Sequence, residues 1–372
     1  MTARLGVLAG FSALAALALS ILLLATAFRP GASLFGLPFS EDGFYALTIA
    51  RNVANGRGVT IDGTLWTNGF QPLFTFLEAA CFLVARGNDL LAGRLVVVLS
   101  WLVHVVGAML AGGVALDARP DAEGRSVRAA LGAVLYLGAA KFFADFYAGL
   151  ETGLQLAMIL ALWRAVQTGA LESALGCFGI GALLGLAILT RIDVGFLAVA
   201  LALWALVRGW RDIGAASLMR PIVMALSAAA ISLPWWLYNQ LVFGSLYPTS
   251  GAAQQRWALE SERLLEGLWA LRMVLVPWIF AWDREALATD LARSAILALA
   301  LALFLFTPHG SRRAVAAPTS QRTSGFGVAL FAAMVGLMIF YVGSFFASWF
   351  YYRYFAPLSL LVEKLTGASR PQ

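Results

Sequence analysis

The run LGVLAGFSALAALALSILLLATAF at residues 5–28 decides the fold. It contains no charged side chain, and a helix needs about 20 apolar residues to cross the hydrocarbon core of a bilayer. Its tail, Ala25-Thr26-Ala27, resembles a signal cleavage site. The apolar core is nevertheless longer than the roughly 7–15 residues of a secretory signal, so the run reads as a retained span. Comparable runs follow near 91–115, 129–145, 153–167, 173–190, 194–208, 221–238, 291–307 and 326–348. The chain therefore reads as an all-α polytopic membrane protein with about nine transmembrane helices.

Composition agrees. Of 372 residues, 61% are hydrophobic and 12% charged, with a mean hydropathy of +0.81. Soluble domains carry about 25% charged residues, so too little charge is present to cover a water-soluble particle, and soluble-enzyme classes are excluded. The net charge of +6 comes from 26 basic against 20 acidic residues. In a membrane protein such charges set orientation, and no nucleic-acid partner follows from them. Cys81 and Cys177 lie in apolar stretches and read as small core side chains. His104, within a span, and His309, in a loop, make no metal-ligand pattern.

Orientation comes from arginine placement. Arg119, Arg125 and Arg128 share one connector, Arg208, Arg211 and Arg220 a second, and Arg312, Arg313 and Arg322 a third. With nine spans all three fall on one side, which is then cytoplasmic. The apolar stretches 72–85 and 268–282 must be left out of that count, the first being short and the second holding Arg272 and Pro277. Both read as interfacial or re-entrant helices on the outer side. The outer face then holds a long first loop (29–90), a short loop (146–152), the turn Arg191-Ile192-Asp193, a later loop (239–290) and the segment after Trp349. Residues 1–372 form a single transmembrane domain with no separate soluble domain or internal repeat.

The first loop reads SEDGFYALTIARNVANGRGVTIDGTLWTNGFQPL from Ser40. Ser40 is an N-cap residue type that places Glu41 and Asp42 in the first turn of a helix running to about Val53, where the helix dipole favours carboxylates. Tyr45, Ile49 and Val53 recur at i, i+4 and i+8 with Phe44 and Leu47 beside them. That pattern predicts an amphipathic helix lying along the membrane surface. Asn55-Gly56, Gly58 and Asp62-Gly63 mark turns. Taken alone, the acidic pair also fits an ordinary capped helix start.

An acidic pair after the first span, an aromatic-rich surface helix, then ARNVANGRGVTIDG (50–63) and TNGFQPL (67–73) resemble the first periplasmic loop of the GT-C glycosyltransferases. The likeness is greatest to the bacterial branch that includes the mycobacterial arabinofuranosyltransferases; the lipid A aminoarabinose transferases and protein mannosyltransferases are more distant. AGLET (148–152), LLGLAILTRIDVGFL (183–197), LPWWLYNQLVFGSLYPTS (233–250) and YYRYFAPL (351–358) resemble later motifs in the same order. The resemblance implies a GT-C-like bundle with two interfacial helices in the first loop. Its expected place is a bacterial inner membrane, with the active site facing the periplasm. The implied activity is transfer of a sugar from a polyprenyl-phosphate donor to an acceptor hydroxyl on a cell-envelope glycan, lipid or protein. Enzymes of this type usually continue beyond the Arg-Tyr-Phe segment, whereas this sequence stops at Gln372, which implies either minimal acceptor recognition or further sequence.

By that resemblance the first-loop acid is the catalytic base and falls on Asp42, with Glu41 as its neighbour and alternate. Lipid-linked transfer needs a carboxylate to take the acceptor proton and cations to meet charge developing on the leaving phosphate. Candidates for the latter are Arg353, beside Tyr354 in the aromatic segment, Arg191, and Lys141, one of two lysines in the chain. Arg353 also suits a snorkelling role in an aromatic belt, Arg191 an ion pair with Asp193, and Lys141 a partner for Asp145 at i+4. Glu151 lies in the short outer loop and reads either as a site residue or as a charge at the start of the next span. Trp66, Asn68 and Gln71, with Thr67, offer an aromatic face and amides to sugar or acceptor, or simply pack the loop. Tyr247, Thr249 and Ser250 are further candidates. Glu41, Asp42 and Glu151 could supply oxygen ligands to a divalent ion. Arginine and lysine alone can neutralise a monophosphate, so no metal or other cofactor is expected to be required. Two other classes fit the hydropathy: a transporter or flippase for a lipid-linked solute, and a non-catalytic membrane scaffold.

Overall fold

In the computed structural model, which describes residues 2–36, 38–116, 125–139, 145–211, 215–249, 251, 260–275, 318–344 and 351–361, apolar runs become helices. Each helix satisfies its own backbone polar groups, as burial in lipid demands. The helices are α1 (Thr2–Ala25), α2 (Gly31–Gly36), α3 (Glu41–Ala54), α4 (Pro72–Ala85), α5 (Asp89–Leu116), α6 (Arg125–Leu137) and α7 (Thr152–Gln167). They continue with α8 (Ala174–Thr190), α9 (Gly195–Arg211), α10 (Ala215–Phe243), α11 (Ser261–Leu275), α12 (Pro318–Ser344) and α13 (Tyr351–Phe355). Among the described residues there is no strand, only an isolated bridge between Thr60 and Trp66.

Among the described residues, four helices are long and apolar enough to cross a membrane, over Ala9–Phe28, Asp89–Leu116, Met219–Phe243 and Gly325–Ser344. The 28 residues of α5 reach about 42 Å at 1.5 Å per residue, beyond a ~30 Å hydrocarbon core. Their outer faces stay apolar and uncovered: Phe11, Leu17, Met109, Leu226 and Ile339 are exposed. Eight of the nine expected spans coincide with helices; the ninth, 291–307, lies outside the described residues. The run expected at 129–145 instead begins at Arg125 and ends at Leu137, where Gly138 turns the chain with its N–H on the Val134 carbonyl (2.8 Å). The stretch expected at 268–282 starts earlier, as α11, and its described part ends at Leu275.

Small residues set the closest contacts. On α8, Gly181 and Gly185 lie against the backbone of Met224 and Ala228 on α10, a small-xxx-small contact that lets two membrane helices approach. Gly107 and Gly112 do the same on α5, beneath the Tyr136 ring and against the Ala129 carbonyl of α6. α1 packs on α5 and α6, and α9 packs on α10 and α12.

The 14-residue α4 spans about 21 Å, too short to cross the hydrocarbon core unaided. It packs on α3, α5 and α8. The apolar stripe of α3 does not face lipid as the periodicity suggested. Ile49 is fully buried with Phe70 and Trp235, and Tyr45 and Val53 pack around them beside Leu189 and Tyr238. The loop after α3 folds back over this stripe because Asn52 Nδ2 donates to the carbonyls of Thr60 (2.9 Å) and Ile61 (3.2 Å).

One end of the bundle collects the first loop, residues 145–151, the turn at 191–194, the segment after α10, and α13. At the opposite end Gln167 donates to the Val114 carbonyl (3.3 Å), Gly113 meets Arg164, and Trp204 meets Gly325. The described parts of these segments, expected on the outer face, are thus gathered at one end.

Candidate functional site

The site is built from the first turn of α3. Ser40 caps it, its Oγ accepting from the Gly43 N–H at 3.1 Å. Glu41 and Asp42 thereby sit where unpaired N–H groups and the helix dipole favour negative charge. The same turn is pinned to the short loop: the Ser40 N–H donates to the Ala148 carbonyl at 3.1 Å. Gly43 has no room for a side chain, because a Cβ there would run into that carbonyl. Gly149 lies against Gly43 on that same side and holds φ +76°, a conformation open chiefly to glycine.

So fixed, Asp42 presents a half-exposed carboxylate (51%), and Arg353 of α13 donates from Nη1 to its Oδ2 at 2.9 Å. The Arg353 side chain is 11% exposed. Burial works against its charge, but Glu151 and Asp145 more than offset this and hold it protonated. Next to it, Tyr352 donates to Asp145 Oδ1 at 3.3 Å. Burial, then the Asp145 charge, pushes that phenol well above its usual range.

Behind this pair lies a buried charge cluster. Arg191 Nη1 donates to Glu151 Oε1 at 2.6 Å, Nη2 to Asp193 Oδ2 at 2.7 Å, and Nε to both Asp193 oxygens at 3.2 and 3.1 Å. All three side chains are at most 5% exposed. Desolvation opposes the Arg191 charge, and Asp193 and Glu151 outweigh it. Asp193 also accepts from Gln155 Nε2 (3.4 Å) and the Tyr341 hydroxyl (3.3 Å). Tyr354 lies under the guanidinium, 4.6 Å from Cζ to ring centroid, and stacks on Tyr341 with centroids 4.1 Å apart. A cation over an aromatic face gains further when water is excluded. Tyr354 thus links the two arginines, one residue from Arg353 in the chain and in contact with Arg191.

The structure brings Asp42, Arg353, Tyr354, Arg191 and Glu151 to one end of the bundle, with Arg191 and Glu151 bound to each other and enclosed. Glu41 is exposed beside Asp42. Lys141 lies outside the described residues. Trp66, Asn68 and Gln71 belong to a different part of the loop. Fully buried Asn68 accepts at Oδ1 from Thr249 N (3.0 Å) and Oγ1 (2.8 Å). Trp66 is exposed, covers Gly58, and lies 6.3 Å from the Tyr238 ring. Gln71 precedes α4 without a side-chain cap. Trp66 and Asn68 fasten the first loop to α10 and the segment beyond it, as does Tyr238, whose hydroxyl donates to the Thr67 carbonyl at 3.0 Å. Glu41, Asp42 and Glu151 do not assemble as ligands: among the described residues no three His, Cys, Asp or Glu side chains gather as a metal site would require.

Sequence reasoning missed Gly43, Asp145 as a tyrosine partner, Tyr341 and Tyr352. The glycine directly after the acid in SEDG is a usable signal of close backbone approach. Tyr341 carries none, since an apolar span hides which of its residues face a neighbour. No family model matches the chain, and no curated protein or solved structure matches it either.

Proposed function

We propose that the protein is a GT-C-type membrane glycosyltransferase of about nine spans, seated in a bacterial inner membrane. It moves a sugar from a polyprenyl-phosphate donor to an acceptor hydroxyl at the periplasmic face. The observation that carries this reading is the Asp42–Arg353 pair: a half-exposed carboxylate and a nearly buried guanidinium, side by side at the end of an apolar bundle. Polyprenyl-phosphate sugars present both an anion and a reactive carbon at that level of a membrane.

The chemistry is a single displacement with inversion. The acceptor oxygen forms a bond to the anomeric carbon as the bond from that carbon to the phosphate oxygen breaks. Asp42 takes the acceptor proton, and the leaving polyprenyl phosphate keeps the bonding electrons. Arg353 turns from Asp42 to the phosphate as the donor binds, which frees the carboxylate to act as base and sets a cation where charge develops. Arg191, held by Glu151 and Asp193, is a positioning residue: it fixes Tyr354 and with it the helical turn that carries Arg353. Trp66 and Asn68 shape the loop on the acceptor side. Arginine suffices for a phosphodiester, and the reaction needs no metal.

The test is sugar release and transfer from radiolabelled polyprenyl-phosphate donors by the purified protein, compared with Asp42→Asn. Transfer that vanishes in the variant while donor still binds supports the reading. Equal turnover in both removes Asp42 from the mechanism. Solute flux in proteoliposomes without any transfer replaces the enzyme with a transporter.

A further inference from the structure

The buried face of α4 carries a carboxyl group that the proposed reaction does not use. Glu78 is 0% exposed, and neither Oε1 nor Oε2 has a hydrogen-bond partner. It shares its helix face with Thr75 and Ala79, also buried. An orphaned charge in such a place costs several kcal/mol, and proteins avoid that by protonating the group. The charged residue that acts on it is Glu151, a like charge. Other charges on the helices packed against α4 are engaged elsewhere or stand apart. Arg51 of α3 pairs with Asp89 of α5 at 3.3 Å, Asp42 pairs with Arg353, Glu41 is exposed, and Arg94 of α5, whose Nε is buried without a partner, does not act on Glu78. His104 of α5 sits among Tyr136, Phe146 and Tyr147. Arg191, at the end of α8, is taken by Glu151 and Asp193. On α4 itself the thiol of Cys81 is pushed up to about 11, mainly by burial and then by Glu78. Polar atoms next to Glu151 on α7 are unmatched too: Thr152 Oγ1 and Gln155 Oε1.

We propose that Glu78 is a proton-binding site, and that its proton is linked to binding of the anionic donor at Arg353. With Glu78 neutral, the acids around the two arginines are Asp42, Asp145, Glu151 and Asp193; an ionised Glu78 adds a fifth negative charge behind Glu151. Glu151 is bonded to Arg191 at 2.6 Å and Arg191 rests on Tyr354, the residue after Arg353, so the extra charge reaches the arginine pair through Glu151 and disfavours a phosphate there. Linkage is reciprocal: an anion at Arg353 makes Glu78 harder to ionise, and binding draws a proton from solution wherever Glu78 is partly ionised. Burial and the Glu151 charge raise the Glu78 ionisation well above 4.5, which puts the effect on the alkaline side of that value.

This rests on the donor reading, and the experiment separates the two. The probe is farnesyl methyl phosphate, a diester whose single charge does not change with pH, titrated calorimetrically into the full-length protein in two buffers of different ionisation enthalpy. The wild type is expected to bind more weakly as pH rises, by a factor within about 5–150, with proton uptake in the falling range. Glu78→Gln is expected to bind at every pH as the wild type does at low pH, with no uptake. An infrared titration of the ligand-free wild type should show a carboxylic-acid carbonyl band that disappears with rising pH and is missing from Glu78→Gln. A pH-dependence identical in both proteins overturns the linkage, and lack of that band overturns the protonated Glu78. If the diester does not bind at any pH, the linkage to the donor falls with the donor reading. The band then decides, by itself, whether Glu78 binds a proton.

Discussion

Arg353 lies 311 residues beyond Asp42 in the chain, yet its Nη1 stands 2.9 Å from the Asp42 carboxylate. Because Asp42 is half exposed, the pair is screened by water and stabilises the fold by no more than about 1 kcal/mol. Asp42→Asn should therefore leave the unfolding midpoint almost unchanged. Transfer should fall by about 10²–10⁴-fold, the usual worth of a general base. Thermal unfolding in detergent and donor-dependent turnover on the same preparation check this together.

Arg353→Gln should act on the donor. We expect a KM for the polyprenyl-phosphate sugar raised about tenfold or more, and a lower kcat, since in the proposed mechanism the guanidinium meets the phosphate before and during its departure. Arg353→Lys should recover part of the binding but less of the rate, a point charge lacking the planar fork that grips two phosphate oxygens. Equal KM values for all three proteins would place the phosphate elsewhere.

Arg191→Ala should be a folding defect. It leaves Glu151 and Asp193 buried without their cation, and breaking such a cluster costs about 3–5 kcal/mol. A marked drop in the unfolding midpoint is expected. Glu151→Gln, which keeps the shape and removes one charge, should be milder.

Gly43→Ala probes position without touching charge. The added methyl would collide with the Ala148 carbonyl, so the first turn of α3 must move away from the short loop and carry Asp42 from Arg353. A loss of transfer of at least tenfold, with donor affinity changed much less, is the expected outcome.

Stability should fall with rising pH through Glu78. The folded protein holds that proton to higher pH than the unfolded chain does, so the native state binds more protons and stability declines as pH rises above about 4.5 toward the folded value. In Glu78→Gln this contribution to the slope should vanish. Unfolding midpoints across a pH series, compared between the two proteins, measure the difference.

Local order was legible in the sequence and distant pairing was not. Ser40 as cap, Glu41 and Asp42 in the first turn, and a helix to about Val53 follow from short-range chemistry, and the helix ends one residue on, at Ala54. The Arg191–Asp193 pair is two residues apart and could be anticipated. Glu151, 40 residues from Arg191, could not be assigned to it, because nothing in AGLET says which turn it meets. The stripe Tyr45-Ile49-Val53 is apolar as its spacing predicts but meets protein; periodicity reports that a face is apolar, not whether Trp235 or a lipid tail covers it. Glu78 carries no signal of its burial, because a single acid in an apolar run has the same sequence whether it is solvated or enclosed.

The ion pair between Glu151 and Arg191 also bears on how the chain enters the bilayer. α7 and α8 pack together, and Glu151 before the start of α7 meets Arg191 at the end of α8, with Asp193 close behind. Threaded without α8, α7 would bring the Glu151 carboxylate to the hydrocarbon boundary with no cation beside it, whereas Arg191 has Asp193 two residues on. As a hairpin the two ends share Arg191 between both acids, which makes residues 151–193 the natural unit of insertion. A ribosome-bound chain arrested before residue 191 should expose its α7 end to the translocation channel, and one arrested beyond 193 should not.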